Sequence, residues 1–258
     1  MILSPQGKRP QSLWTEAAPG RVYALDQTLL PHETRVLAFE RLDQVAEAIR
    51  AMRVRGAPLI GVGAAFGLAL ALRADAAAAA EETAARELLA TRPTAINLAW
   101  AIARVRAALA GAPTGERAAR AWAEAQRILT DEIAVCSAIG DHGLALVETL
   151  WRARRERDPS AESLHVLTHC NAGWLATGAW GTALAPVYKA REAGIPIHVW
   201  VDETRPRGQG ASLTAWELGA AGVPHTLITD TMSGHVLQRG KADVCFVGSD
   251  RTTAAGDV

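Results

Sequence analysis

Cysteine is scarce in this sequence. Cys136, Cys170 and Cys245 are odd in number and far apart among 258 residues, which argues against a disulfide framework and for a reducing, cytoplasmic setting. Neither Cys-x-x-Cys nor His-Glu-x-x-His occurs, so no metal set is expected. An excess of one charge is also missing. Lys plus Arg and Asp plus Glu each total 27, and without a basic block the footprint of a nucleic-acid binder is absent. The longest apolar run, residues 57–72, contains Gly61, Gly63 and Gly67 and falls short of the roughly 20 residues that span a bilayer. A buried helix and no membrane partner are therefore expected. The opening Met1-Ile2-Leu3-Ser4-Pro5 has no basic region leading into an apolar core, so no secretory signal is expected.

What is present is enough apolar residue, 49% of the chain, to build real cores over two domains. Residues 21–27 and 35–39 read as short strands around a turn containing Pro31. Asp43 is placed to cap a helix carrying Val45, Ile49 and Met52 at helical spacing, ending near Arg55-Gly56. Pro58 suits the first turn of the next helix, where its missing N–H costs nothing; Gly61, Gly63 and Gly67 there read as close helix packing, not a dinucleotide fingerprint. The alanine-rich stretch 75–89 is a helix former. Thr94 is expected to cap a helix through Leu109, and residues 122–150 form a long helical pattern with a break at residues 140–143.

A charged run, residues 152–162, precedes a change of rhythm, and the domain boundary is expected there. We expect a mainly helical N-terminal domain with a short β segment over residues 1–151 and a Rossmann-like α/β domain over residues 152–258. In the second, strands at 164–168, 197–201, 225–228 and 244–247 alternate with helices near 176–193, 211–220 and up to Arg239, the pattern of a parallel doubly wound sheet. Sheets of this class have about five or six strands, and the rhythm stops at Val258 after the fourth, so a sheet truncated at its C-terminus is expected.

Ligands of such sheets bind beyond the carboxyl ends of the strands. Four polar segments lie there, beginning at Thr168, Asp202, Thr229 and Gly248. Cys170, in a polar loop leading toward a helix, is either an active-site thiol, acid or base, or a structural one. Cys136 and Cys245 read as structural. Asp250 either caps the turn after its strand or serves as a carboxyl partner in proton transfer. Asp202 and Asp230 read first as loop-fixing groups. Arg55-Gly56-Ala57-Pro58 joins a cationic fork to a helix start and makes a phosphate seat. Arg92 precedes another helix start; on spacing alone both arginines also suit solvent-facing positions.

Together the motifs resemble the methylthioribose-1-phosphate isomerase family, which is related to the regulatory subunits of the exchange factor for eukaryotic translation initiation factor two. The resemblance rests on Leu25-Asp26-Gln27-Thr28-Leu29-Leu30-Pro31, Arg55-Gly56-Ala57-Pro58, Arg92-Pro93-Thr94-Ala95-Ile96-Asn97-Leu98, Thr168-His169-Cys170-Asn171-Ala172-Gly173, Asp202-Glu203-Thr204-Arg205-Pro206 with Gln209-Gly210, and Gly248-Ser249-Asp250-Arg251. It implies an aldose–ketose isomerase of methionine salvage that uses no metal or nucleotide cofactor and acts as a cytoplasmic homodimer on a small sugar phosphate. It further implies Cys170 as catalytic thiol, Asp250 as catalytic carboxyl, and Arg55, Gly56, Ala57, Arg92 and Gln209 as substrate-binding positions. The family's Asn-Lys pair, which contacts substrate, is expected to lie beyond Val258. Isomerases of ribose 1,5-bisphosphate or 5-deoxyribose 1-phosphate, or a non-catalytic regulatory subunit, are the alternatives.

Overall fold

The computed structural model describes residues 10–16, 18–249 and 252–257. It is a mixed α/β chain that divides into two compact units, one made of Met1–Val135 with Leu175–Ala179, the other of Cys136–Trp174 with Trp180–Val258.

In the first unit, strands β1 (Leu13–Thr15), β2 (Val22–Leu25) and β3 (Val36–Phe39) form an antiparallel sheet in that order, with Ala24 opposite both Leu13 and Leu37. Strand β1 was not anticipated, because three residues are too few to show alternation. Helix α1 (Leu42–Arg50) starts one residue before Asp43, so Asp43 sits in its first turn and Gln44 Oε1 instead accepts the backbone N–H of Glu40 and Arg41. The helix stops at Arg50, before Arg55-Gly56, and Met52 then turns with φ +61°.

Helix α2 (Ala57–Ala74) carries Pro58 in its first turn, as expected, and is the centre of this unit. It and α5 (Thr114–Arg157) are long and apolar enough to cross a membrane by length and composition, but α2 buries Leu59, Phe66 and Leu68 completely in the core. A Cβ on Gly61 would lie 2.8 Å from Asn97 O, so that glycine permits α2 to approach α4 (Ile96–Ala108). Ala95, not Thr94, precedes the first turn of α4. Phe66 meets the edge of Trp122 at 5.3 Å between ring centroids, and α3 (Ala78–Thr91) adds Leu88 to the same cluster.

Helix α5 continues without the break expected at residues 140–143. A Cβ on Gly143 would run into Pro186 and one on Gly140 into Lys189 and Ala185, so these glycines admit helix α6 (Ala185–Glu192). Helix α6 is shorter than expected, because residues 177–184 form a loop closed by a bridge between Gly173 and Gly181.

The second unit carries a parallel sheet in the order β6-β5-β4-β7, from β4 (Leu164–Thr168), β5 (Ile197–Asp202), β6 (His225–Ile228) and β7 (Val244–Cys245). The last strand is two residues long, where four were expected. A π-helical turn (Gly210–Thr214) leads into α7 (Ala215–Ala220), and α8 (Met232–Gln238) follows β6. Cys136 is buried as expected, but Cys245 is exposed on β7.

Candidate active site

Strand β4 has β5 on one side and β7 on the other, so the chain leaves it in one direction and returns on the opposite side. That reversal opens a crevice at the carboxyl ends, the place where open α/β sheets bind ligands. Thr168, the last residue of β4, donates its hydroxyl to Phe246 O at 2.7 Å, which joins the two strand ends. Cys170 follows directly.

Cys170 is a free, half-buried thiol whose backbone has φ +61°. Its N–H donates to Thr204 Oγ1 at 2.8 Å, and its carbonyl accepts the Thr214 hydroxyl at 2.6 Å. Asn171 Nδ2 donates to that same Thr214 hydroxyl at 3.2 Å. Thr204 is left-handed too, at φ +63°. A β-branched residue there is a true outlier, held only where its surroundings over-determine it. They do so here: the Thr204 hydroxyl donates to Asp202 O at 3.1 Å, and its N–H donates to Asp230 Oδ1 at 2.8 Å. Three strand ends thus meet at one buried residue, two at its hydroxyl and one at its backbone N–H.

Asp230 also accepts the Arg205 N–H at 2.8 Å. That bond foremost, then the one from Thr204, holds its carboxyl below the usual carboxylate range. Asp230 therefore fixes a loop, the role first expected of it. Asp202, buried, takes the Ser233 hydroxyl on Oδ1 and lies 3.0 Å from His169 Nδ1 through Oδ2. The ligand atoms of His169, Asp202 and Asp230 lie within 4.8 Å of one another, but a cation there would have to displace these hydrogen bonds.

Two glycines set the loop geometry. Any Cβ on Gly173 would collide with the buried carboxylate of Glu217, which accepts the Tyr188 hydroxyl at 2.7 Å. Burial first, and then the Glu217 charge, pushes the Tyr188 hydroxyl well above its ordinary value. A Cβ on Gly210 would run into Asp202 O. Just before it, Gln209 has a buried Oε1 with no hydrogen-bond partner among the described residues, an acceptor open to a ligand.

Gly248, after β7, packs beside the Cys170 loop, since a Cβ on it would lie 3.1 Å from Ala172 Cβ. Asp250 lies outside the described residues. An open groove of about 440 Å³ runs between Ile139, Pro186 and Val247 and does not include Cys170 in its lining.

The remaining expected positions belong to the first unit. Gly56 has φ +96°, and a Cβ there would run into Ala176, so only glycine fits before the start of α2. Arg55 precedes it half-buried, and Ala57 is the first residue of α2. Arg92, half-buried after α3, makes no ion pair among the described residues. Reading the sequence missed Thr204, Thr214, Glu217 and the pairing of His169 with Asp202. For Thr204 and His169 the available signal was a hydroxyl or imidazole within two residues of a strand end; Thr214 and Glu217 lie far from one and carried no such signal.

Residues 53–258 match the model of the Initiation factor 2 subunit family. Methylthioribose-1-phosphate isomerase of Rhodospirillum rubrum is 52% identical over 256 residues, covering 99% of this chain and 66% of the relative. That of Methylocella silvestris is 54% identical over 253 residues, covering 98% and 68%. The crystal structure of 5-methylthioribose 1-phosphate isomerase from Pyrococcus horikoshii OT3 superposes with a TM-score of 0.82 at 36% identity, covering 96% of this chain and 68% of that one. The structure titled translation initiation factor eIF-2B, subunit delta, from A. fulgidus gives 0.79 at 38%, covering 94% and 68%. The chain spans about two thirds of the length of these relatives. It belongs to the Initiation factor 2 subunit family, and curated relatives at 52–54% identity carry the name methylthioribose-1-phosphate isomerase.

Proposed function

We propose that this protein converts 5-methylthioribose 1-phosphate into 5-methylthioribulose 1-phosphate in methionine salvage, without a metal or nucleotide cofactor, as a soluble cytoplasmic homodimer. The observation that carries the reading is Cys170 itself: a free thiol on a left-handed turn beyond the central strand, pinned through both its N–H and its carbonyl. Such preorganisation suits a reacting group. The names of relatives at 52–54% identity supply the substrate.

Phosphate on the anomeric carbon blocks the spontaneous ring opening of ordinary aldoses, so the ring oxygen must be protonated while the C1 phosphate survives. We assign that proton to Asp250, a role that requires a carboxyl kept protonated until the ring opens. Cys170 handles the hydrogen at C2, as a base, or supports its shift to C1 as hydride. Arg55, Gly56, Ala57 and Arg92 serve the phosphate, and Gln209 offers its unpaired carboxamide atom to a sugar hydroxyl. We keep the helical N-terminal domain and the Rossmann-like catalytic domain as the organisation behind these roles.

Replacement of Cys170 by Ser should abolish turnover of 5-methylthioribose 1-phosphate while leaving the thermal midpoint in place. Near-normal turnover would sink the assignment. Ribose 1,5-bisphosphate and 5-deoxyribose 1-phosphate, assayed alongside, decide which sugar phosphate is preferred. The likeness to an eIF-2B delta subunit favours a second, non-catalytic reading; tight partner binding by folded protein that isomerises none of the three substrates would select it.

A further inference from the structure

Isomerisation of a 1-phosphorylated furanose has a proton balance that two catalytic groups leave open. The C1–ring oxygen bond breaks, its electron pair stays on oxygen, and that oxygen gains a proton. The hydrogen on C2 ends on C1, whether it travels as proton or as hydride. The 2-hydroxyl loses its proton as its electron pair becomes the second bond of the C2 carbonyl. Asp250 and Cys170 account for the first two events. The third needs an acceptor.

We propose that His169 is that acceptor, a third catalytic residue; this rests on the isomerase reading above. Its Nδ1 lies 3.0 Å from Asp202 Oδ2, and an ionised carboxylate only accepts, so Nδ1 carries the proton and Nε2 holds a free lone pair. Asp202 is buried and its other oxygen is held by Ser233 from α8, so the ring is oriented by a fixed partner. The imidazole itself is half-exposed at the end of β4, next to Cys170 in the chain. The O–H bond of the substrate breaks and an Nε2–H bond forms, with the carboxylates of Asp202 and, from the loop after β6, Asp230 beside the ring. The carboxyl of Asp250 gives up one proton as His169 gains one, and exchange with water resets both. Among the described residues, the charged or titratable groups around the ring are Asp202 from β5, Asp230 after β6 with Arg205 beside it, and Cys170 on its own loop.

His169→Asn is the discriminating variant. Its amide nitrogen stands where Nδ1 stood and keeps the bond to Asp202, while Nε2 is deleted. The proposal expects kcat to fall by roughly 100- to 10,000-fold with KM little changed. The thermal midpoint should stay in place, and the pH profile of kcat/KM should differ from that of the wild type. Turnover within about threefold of wild type, with the wild-type pH profile, overturns the role alone. Imidazole nitrogen NMR of the wild type adds a readout independent of variants: the Nδ1–H tautomer near neutral pH is expected, and an Nε2–H tautomer overturns the proposal. Folded wild-type protein that leaves 5-methylthioribose 1-phosphate unchanged overturns the isomerase reading, and this role with it.

Discussion

The two units bury their interiors by different means. Around α2 the first unit packs side chains that mostly lack polar atoms, with Leu59, Phe66 and Leu68 fully enclosed and α4 brought close by Gly61. At the strand ends of the second unit, polar side chains find partners in backbone groups: buried Thr204 on Cys170 and Asp202, half-buried Asp230 on Thr204 and Arg205, buried Thr214 on Cys170. Apolar packing is non-directional and stores stability, whereas hydrogen-bond networks fix positions. Substitutions in the first unit should therefore register as stability, and those at the strand ends as placement of the Cys170 backbone.

The largest effect should come from Phe66→Ala. Removing a fully buried ring that meets Trp122 should cost about 3–5 kcal/mol in chemical denaturation, with Cys170 alkylation in the remaining folded protein unchanged. A slowed alkylation would break the division between the units.

Thr204→Val comes next. The methyl group keeps the side-chain shape, but the Cys170 N–H loses its acceptor, at a cost of about 1–3 kcal/mol. Turnover should fall chiefly in kcat, and Thr204→Ser should restore it. A serine variant as impaired as the valine one would show that shape rather than the hydroxyl matters.

The smallest effect concerns pH. Burial first, then the neighbouring His165 and His225 rings, holds the His198 imidazole below its ordinary value, and its Nδ1 is buried with no hydrogen-bond partner among the described residues. The fold therefore favours neutral His198. That contribution is complete above the unfolded value of about 6.5 and is lost as pH falls from there toward the folded value. The thermal midpoint should drop more between pH ~7.5 and ~5.5 in the wild type than in His198→Gln. An equal drop in both proteins would remove His198 from the account.

Much of this was legible in the chain, for reasons particular residues make clear. Pro58 at a helix start and the apolar run after it announce α2, because a wholly buried helix needs no alternation. The parallel rhythm and the place of Cys170 just past a strand followed from short apolar strands separated by helices. Residues 177–184 look helical in sequence because the glycines in and beside this loop serve contacts that sequence does not show: Gly178 with Leu129 and Glu132, Gly181 with Gly173, and Gly173, just before the loop, with Glu217. The same holds for the unbroken α5, whose Gly140 and Gly143 look like a break until α6 is seen against them. Thr204 is 34 residues from the cysteine it holds. No local pattern encodes such a bond.

The collision awaiting any side chain at Gly173 has a diagnostic use. Neither Glu217 nor Tyr188 is among the residues assigned to substrate, yet together they occupy the space a larger residue would need. A homologue with alanine or serine at this position must have rebuilt that buried pair, and with it the turn that presents the thiol. When active members of this family are sorted from inactive ones, position 173 therefore marks a disrupted turn even in chains that retain cysteine at position 170.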